Sequence, residues 1–266
     1  MSRARKRLGQ HFLHDRRVVC RILDIFDPDP DDIVVEIGSG QGVLTRELVP
    51  RVAYLHAIEL DPRLAMALSE ELASFDNARI HQADALAIDY RRFNDSGRKL
   101  RLIGNLPYSV STPLLFHLLQ QTSCIQDMCF MLQREVADRL CARPGNKTYG
   151  RLGVMVQWRC QIERLFVVKS GAFQPAPKVD SALVRLRPHT APPAPVMDEA
   201  VLADVVAAVF SQRRKTLRNA LKGILTDSAI AAIGIDPGRR GETLTLKEFA
   251  RLSDTATRAA PIAAPK

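Results

Sequence analysis

From Ile33 onward, short apolar runs alternate with stretches in which apolar residues recur every three or four positions, the pattern of βα units in a parallel sheet. IVVEI (33–37) predicts a buried strand and YLHAIEL (54–60) a second. Asp61-Pro62 then supplies a cap and a first-turn proline for a helix with Leu64, Ala67, Leu68 and Leu72 on one face. ARIHQAD (78–84) reads as a weaker third strand and LRLIG (100–104) as a fourth. Thr112-Pro113 repeats the cap-and-proline start before Leu114, Leu115, Leu118 and Leu119 at helical spacing. MCFML (128–132) predicts a fifth strand, followed by helical REVADRLCA. LFVV (165–168) and ALVRL (182–186), separated by proline-rich GAFQPAPKVD, suit an antiparallel addition to the sheet.

These elements amount to an α/β domain of about seven strands over residues 1–187. RPHTAPPAPV then breaks the pattern with four prolines in ten residues, so residues 188–196 are expected to form a semi-rigid linker. Beyond it the period is helical. Val201, Leu202, Val205, Val206, Val209 and Phe210 form one stripe, and Thr245-x-x-Glu248 is a capping box, which predicts a small helical domain over 197–255. Residues 256–266 are expected to be a disordered tail.

Composition adds a partner. The formal charge of +9 and a pI near 9.6 favour a polyanion, with nucleic acid first. Arg3, Arg5, Lys6 and Arg7 make a basic N-terminal arm. In SQRRKTLRNALKG (211–223), i,i+4 spacing predicts Arg214, Arg218 and Lys222 on one helical face, a candidate phosphate contact. The five cysteines include no Cys-x-x-Cys pair and no histidines at ligand spacing, so they read as buried, reduced thiols rather than disulfides or a metal site. The basic start leads into no apolar signal core, and no run is long enough to span a bilayer. A soluble cytoplasmic protein is expected.

The chemistry gathers at strand ends. In VVEIGSGQGVLT (34–45), Gly38, Gly40 and Gly42 let the backbone approach a ligand between a strand and a helix. The third glycine falls two residues after the second, which is not the dinucleotide fingerprint. Glu36, just before the loop, would repel a phosphate and suits an ammonium or sulfonium. Glu59, about twenty residues on, is placed to accept both ribose hydroxyls, and Asp84 to accept from an adenine amino group. Three acids at successive strand ends point to a cationic adenosyl ligand.

This glycine loop with its acids resembles the S-adenosylmethionine-dependent methyltransferases of the Rossmann-like class I fold, which implies that cofactor and no metal. GNLPYSVSTPLL (104–115) then gains a role. An adenine amino nitrogen is a poor nucleophile because its lone pair is delocalised into the ring. If Asn105 Oδ1 and the Leu106 carbonyl each accept one N–H, that lone pair is directed at the methyl carbon. Pro107 would fix the carbonyl and Tyr108 would offer a stacking face.

With KRLGQHFL (6–13), IELD (58–61), YGRLGVMVQ (149–157) and FQPAPKVDSALVRL (173–186) added, the sequence resembles the ribosomal RNA adenine dimethyltransferases from Lys6 to about Leu252, most closely their bacterial small-subunit branch. The resemblance implies that His11, Leu13, Gly38, Glu59, Asp84 and Asn105 contact the cofactor, and that Phe173 stacks on the base opposite Tyr108. The family often has asparagine where His11 stands. It also implies a monomer acting on the small ribosomal subunit, where two neighbouring adenines in a hairpin loop near the RNA's 3′ end each receive two methyl groups. Large-subunit RNA or DNA as substrate, or an RNA-binding assembly or transcription factor with secondary catalysis, remain alternatives on the residues alone.

Overall fold

The computed structural model describes residues 10–94 and 97–259. The chain forms two compact units, one containing residues up to 137 together with 161–188, the other 138–160 together with 189 onward.

The first unit is built on a seven-stranded sheet of order β4-β3-β2-β5-β6-β9-β7. Its strands are β2 (Ile33–Ile37), β3 (Tyr54–Glu59), β4 (Ala78–Gln82), β5 (Leu100–Asn105), β6 (Ile125–Gln133), β7 (Cys160–Val168) and β9 (Ser181–Pro188). Strands β4 through β6 run parallel, and β9 joins β6 antiparallel with Phe130 opposite Val184. The chain builds outward from β2 to β4, then returns to lay β5 on the other side of β2. Ligands of open α/β sheets bind where the order reverses in this way, because the loops leaving the two strands diverge and open a crevice at their carboxyl ends.

Helices α1 (Arg16–Phe26), α2 (Thr45–Leu48), α3 (Pro62–Glu71) and α4 (Ser111–Leu119) belong to this unit, and α5 (Arg134–Leu140) leaves it. Asp15 caps α1 by accepting from Arg17 N and Val18 N, and the helix buries Val19, Ile22, Leu23 and Phe26 in a cluster shared with Val34, Ile103 and Leu183. Asp61 caps α3 as its sequence predicts, accepting from Arg63 N. Helix α4 starts two residues earlier than Thr112-Pro113 suggests. Its N-cap is Val110 without a side-chain bond, while Ser111 Oγ reaches back to Tyr108 O at 3.1 Å. At the amino-terminal end of the sheet, Arg101 on β5 bonds Asp127 on β6 and Asp32 before β2, at 2.9 and 2.7 Å. Breaking such a buried network strands a charge, so it resists sliding of the three central strands on which the crevice depends.

A two-stranded pair escapes the sequence pattern. β1 (Phe12–Leu13) lies antiparallel to β8 (Phe173–Gln174), with Phe12 opposite Gln174 and Leu13 opposite Phe173. His14 N and Asp15 N extend the attachment by donating to Ala172 O.

The second unit contains α6 (Arg151–Arg159), α7 (Glu199–Ser211), α8 (Leu217–Ala220), α9 (Asp227–Ala232) and α10 (Leu246–Ala259). The stripe on α7 buries Leu202, Val205, Val206 and Val209, and the Thr245–Glu248 box closes with Glu248 Oε2 accepting from Thr245 N at 2.7 Å.

Several expectations change here. The chain passes from one unit to the other after Pro188, one residue from the expected 187, but 138–160 groups with the C-terminal stretch, so the second unit is discontinuous. The proline-rich segment, expected as a semi-rigid linker, carries an anchor: Trp158 Nε1 donates to Ala194 O at 2.6 Å and Ala194 is 5% exposed. Helix α10 runs through Ala259, into the expected tail, whose residues 260–266 lie outside the described residues. None of the five cysteines is in a disulfide, but Cys20 is exposed and Cys141 half-buried rather than buried.

Residues 211–223 do not form one helix. Helix α7 stops at Ser211, Thr216 bridges to Arg240, and α8 is a single turn. Arg214, Arg218 and Lys222 are exposed but share no continuous helical face, and Arg218 is paired with Asp227. Arg5 and Lys6 lie outside the described residues.

Candidate active site

At the carboxyl ends of β2 to β5, the first unit encloses a cavity of about 330 Å³, a size suited to a nucleoside-scale ligand. Gly38 and Gly40 from the β2 loop line it, as do Glu59 and Leu60 after β3, Asp84 beyond β4, Asn105 to Val110 after β5, and Gln10 to Phe12. The sequence-derived set His11, Gly38, Gly40, Glu59, Asp84, Asn105, Leu106 and Tyr108 is therefore brought to one place.

The glycine loop is formed by φ values of +76° at Gly38 and +55° at Gly40, a region that side chains disfavour. A Cβ on Gly40 would stand 3.2 Å from the Phe12 ring, and one on Gly38 would sit 3.5 Å from Asn105 O. Bare backbone here leaves room for a ligand against the sheet edge. The loop is pinned by Gly38 N to Ile58 O at 2.9 Å and by Gly40 N to Glu59 Oε2 at 2.7 Å.

Glu59 is 4% exposed, and its other oxygen accepts from Asp61 N at 2.8 Å. Burial raises its pKa above the ordinary carboxylate value, and the hydrogen bonds from Asp61 and Gly40 oppose that rise. Each oxygen retains a second lone pair for a ligand hydroxyl. Asp84 is exposed at the rim, one oxygen accepting from Leu86 N at 2.9 Å.

Beneath the loop, a small cavity of about 30 Å³ is lined by Glu36, Ser39, Asn105 and Leu13 among others. Glu36 is 2% exposed and accepts from Thr45 Oγ1 at 2.6 Å. Burial pushes its pKa up to about 8, partly offset by the Thr45 bond and reinforced by Glu59. Ser39 Oγ is buried without a partner among the described residues. A buried acid and an orphaned hydroxyl beside a bare-glycine cradle suit a ligand with a cationic end, and they fit S-adenosylmethionine. Leu13, on β1 and 4% exposed, lines this smaller cavity rather than the main one.

The NLPY segment is held from several sides. Asn105 Nδ2 donates to His11 O at 2.8 Å, which fixes the amide and turns Oδ1 the other way. Leu106 N donates to Met131 O at 3.2 Å. Tyr108 OH is hydrogen-bonded to Ser181 Oγ at 2.7 Å, and burial raises its pKa above the usual phenol value. His11 Nδ1 lies 2.7 Å from Pro175 O. A carbonyl only accepts, so Nδ1 carries the proton.

Phe173 is the exception. It does not line the cavity, is 1% exposed, and belongs to the apolar cluster with Leu13 and Phe166. Its pairing with Leu13 commits the ring to that interior, so the second stacking face expected of it is not supplied here. Gly104 is the residue that sequence reading passed over: a Cβ there would lie 2.3 Å from Ile37 O. Nothing local signals this requirement, which arises from β2 and β5 meeting across the crevice.

A family model described as ribosomal RNA adenine dimethylase matches residues 1–258. The Ribosomal RNA small subunit methyltransferase A of Nitrosococcus oceani is 55% identical over 251 residues, 94% of this chain and 95% of that protein. Its namesake in Pseudomonas syringae pv. syringae is 51% identical over 253 residues, 95% of this chain and 94% of that one. Among solved structures, a dimethyladenosine transferase from Plasmodium falciparum superposes with a TM-score of 0.77 at 23% identity, covering 91% of this chain and 96% of that chain, a likeness of fold. The 23S rRNA methyltransferase ErmE reaches 0.68 at 28% identity, covering 92% and 99%. The class I methyltransferase fold implied by the resemblance of the glycine loop and its acids is thus present. A matched family model spanning nearly all of the sequence, and relatives sharing half of it, place this chain in the ribosomal RNA adenine dimethylase family.

Proposed function

We propose that this chain transfers methyl groups from S-adenosylmethionine to N6 of two adjacent adenines in a hairpin loop near the 3′ end of small-subunit ribosomal RNA, giving N6,N6-dimethyladenines during subunit maturation. It is an RNA adenine dimethyltransferase by family. The small-subunit target is supported by relatives named for it at 49–55% identity.

The observation that carries the chemistry is the Asn105 amide, locked by its donor to His11 O so that its oxygen is left to accept. Oδ1 and the Leu106 carbonyl take the two N–H bonds of the amino group and draw the nitrogen toward tetrahedral geometry. A neutral amide does this without placing a full negative charge in the pocket. Tyr108, tethered to Ser181, offers its ring to the base. S-adenosylmethionine, when bound, supplies an electrophilic methyl on a sulfonium. No base is required before transfer, since the amino proton becomes strongly acidic only once the nitrogen is alkylated. Glu59 and Asp84 recognise the ribose and adenine of the cofactor, with Gly38, Gly40, His11 and Leu13 around it and Glu36 facing its cationic end. Arg214 and Lys222, exposed on the second unit, contact RNA phosphates. One copy suffices, because every side chain assigned to the reaction lies in one unit of one chain. A cytoplasmic place agrees with that substrate and with five cysteines that form no disulfide.

The test is label transfer from methyl-labelled cofactor to small subunits lacking the modification, with mass spectrometry of the adenines. Wild-type protein should yield dimethyladenine, and Asn105→Ala should yield none while retaining its circular dichroism spectrum. Transfer by Asn105→Ala at the wild-type rate would sink the mechanism, and preferential labelling of large-subunit RNA would sink the target.

A further inference from the structure

A primary amide has two nearly isosteric orientations, and only one of them is useful at position 105. With Nδ2 turned toward the cavity, Asn105 would offer donors to an amino group that is itself a donor. What selects the useful orientation is a main-chain oxygen 94 residues away, His11 O, at 2.8 Å from Nδ2. That oxygen sits on the short strap Gln10–Leu13, of which only Phe12–Leu13 is in strand pairing.

The strap is held at position 11 by the side chain. Its Nδ1–H donates to Pro175 O at 2.7 Å, and its ring lies 5.5 Å from the Tyr108 ring at 33° between planes. One residue therefore touches three parts of the site: its carbonyl the amide of Asn105, its Nδ1 the segment after β8, its ring face Tyr108.

We propose that His11 is a positioning residue for methyl transfer: by fastening the strap to Pro175 it keeps its own carbonyl where the Asn105 amide is forced to present oxygen to the incoming amino group. This rests on the adenine-methylating reading above and adds a requirement to it. The strap does more than border the ligand, since the base-side acceptor is correctly oriented only while the strap is docked. An asparagine at position 11 preserves the device, because its side-chain amide reaches the same distance from the backbone as Nδ1 and also donates. An alanine removes both the donor and the ring contact.

The experiment compares His11→Ala, His11→Asn and Asn105→Ala in full-length protein by two readouts. One is kcat and the cofactor KM on small subunits lacking the modification. The other is the side-chain NH2 signal of Asn105 in ¹⁵N spectra of the ligand-free protein, assigned by its loss in Asn105→Ala. In His11→Ala, kcat should fall on the order of tenfold, the loss of one positioned hydrogen bond, and the Asn105 NH2 signal should move to the position and exchange rate of a solvent-exposed amide. His11→Asn should restore both. An unchanged Asn105 signal in His11→Ala, or a His11→Asn variant as impaired as His11→Ala, overturns the proposal. If Asn105→Ala itself remains active, the parent reading has failed instead. A change confined to KM would assign His11 to cofactor contact alone and refute the positioning role.

Discussion

Gly104→Ala adds a single methyl group beside the end of β2, against the backbone of Ile37. The new Cβ would lie 2.3 Å from Ile37 O, about 1 Å inside van der Waals contact, and the atom it meets is backbone rather than a side chain that can swing away. The strands must separate. Ile37 is followed directly by the Gly38 turn, and Gly104 immediately precedes Asn105, so the displacement is delivered to the two loops that form the site. Overpacking of this kind costs roughly 1–3 kcal/mol of stability. A shift of about 1 Å at a reacting centre costs on the order of a hundredfold in rate. The variant should thus unfold at lower urea yet remain folded in buffer, and methylate small subunits about a hundred times more slowly. Gly171→Ala is the control: its added Cβ meets nothing within 4 Å, and the residue has no left-handed φ. It should be neutral in activity and neutral to slightly stabilising. If Gly104→Ala labels RNA at the wild-type rate, the argument that the β2–β5 junction sets the site geometry is wrong.

Other tests follow from charge. Glu36, held up to about 8 by burial, is protonated in the folded protein but ionised in the unfolded chain above its ordinary 4.5. Its contribution is therefore full below that value and is lost as pH rises toward 8. Glu36→Gln should flatten that slope in thermal melts over this window, and should also remove any rise with pH in affinity for S-adenosylmethionine relative to S-adenosylhomocysteine, whose sulfur carries no charge, measured calorimetrically. His56, hydrogen-bonded to His81 at 3.0 Å and stacked on Phe93, runs the other way. Burial lowers it to about 4, so its contribution is present above the ordinary 6.5 and lost as pH falls toward 4, and His56→Phe should weaken that acid limb of the melting curve. A limb as steep as that of wild type would rule the histidine out as its source. Arg214→Ala and Lys222→Ala should each reduce the salt dependence of RNA affinity by about one unit of slope, whereas Arg218→Ala, already paired with Asp227, should change it less. A wild-type slope in Arg214→Ala and Lys222→Ala would remove those two residues from the RNA interface.

Where residues carry their information locally, the sequence is readable. IVVEI, YLHAIE and LRLIGN are strands because continuous apolar runs suit a sheet covered on both faces, and the chemistry follows at their ends: Gly38, Glu59 and Asn105 fall at the crevice because the strands stop there. What depends on distant partners is not readable. The Phe12–Leu13 strand is two residues long and shows no period. Phe173 lies on an equally short strand, where alternation cannot say which face is inward, and its partner Leu13 decides the matter. The spacing of Arg214, Arg218 and Lys222 assumes a continuous helix, which the bridge from Thr216 to Arg240 interrupts. Gly104 looks like an ordinary strand glycine until Ile37 is placed beside it.

The discontinuous second unit governs how this protein can be shortened. A fragment ending at Pro188 keeps α6 but discards Ala194, leaving the Trp158 indole, 2% exposed in the intact chain, bare and without its acceptor. Such a truncation should precipitate however sound its α/β half. Excising a minimal catalytic body requires three cuts, after residues 137, 160 and 188, with a new splice joining the first stretch to 161.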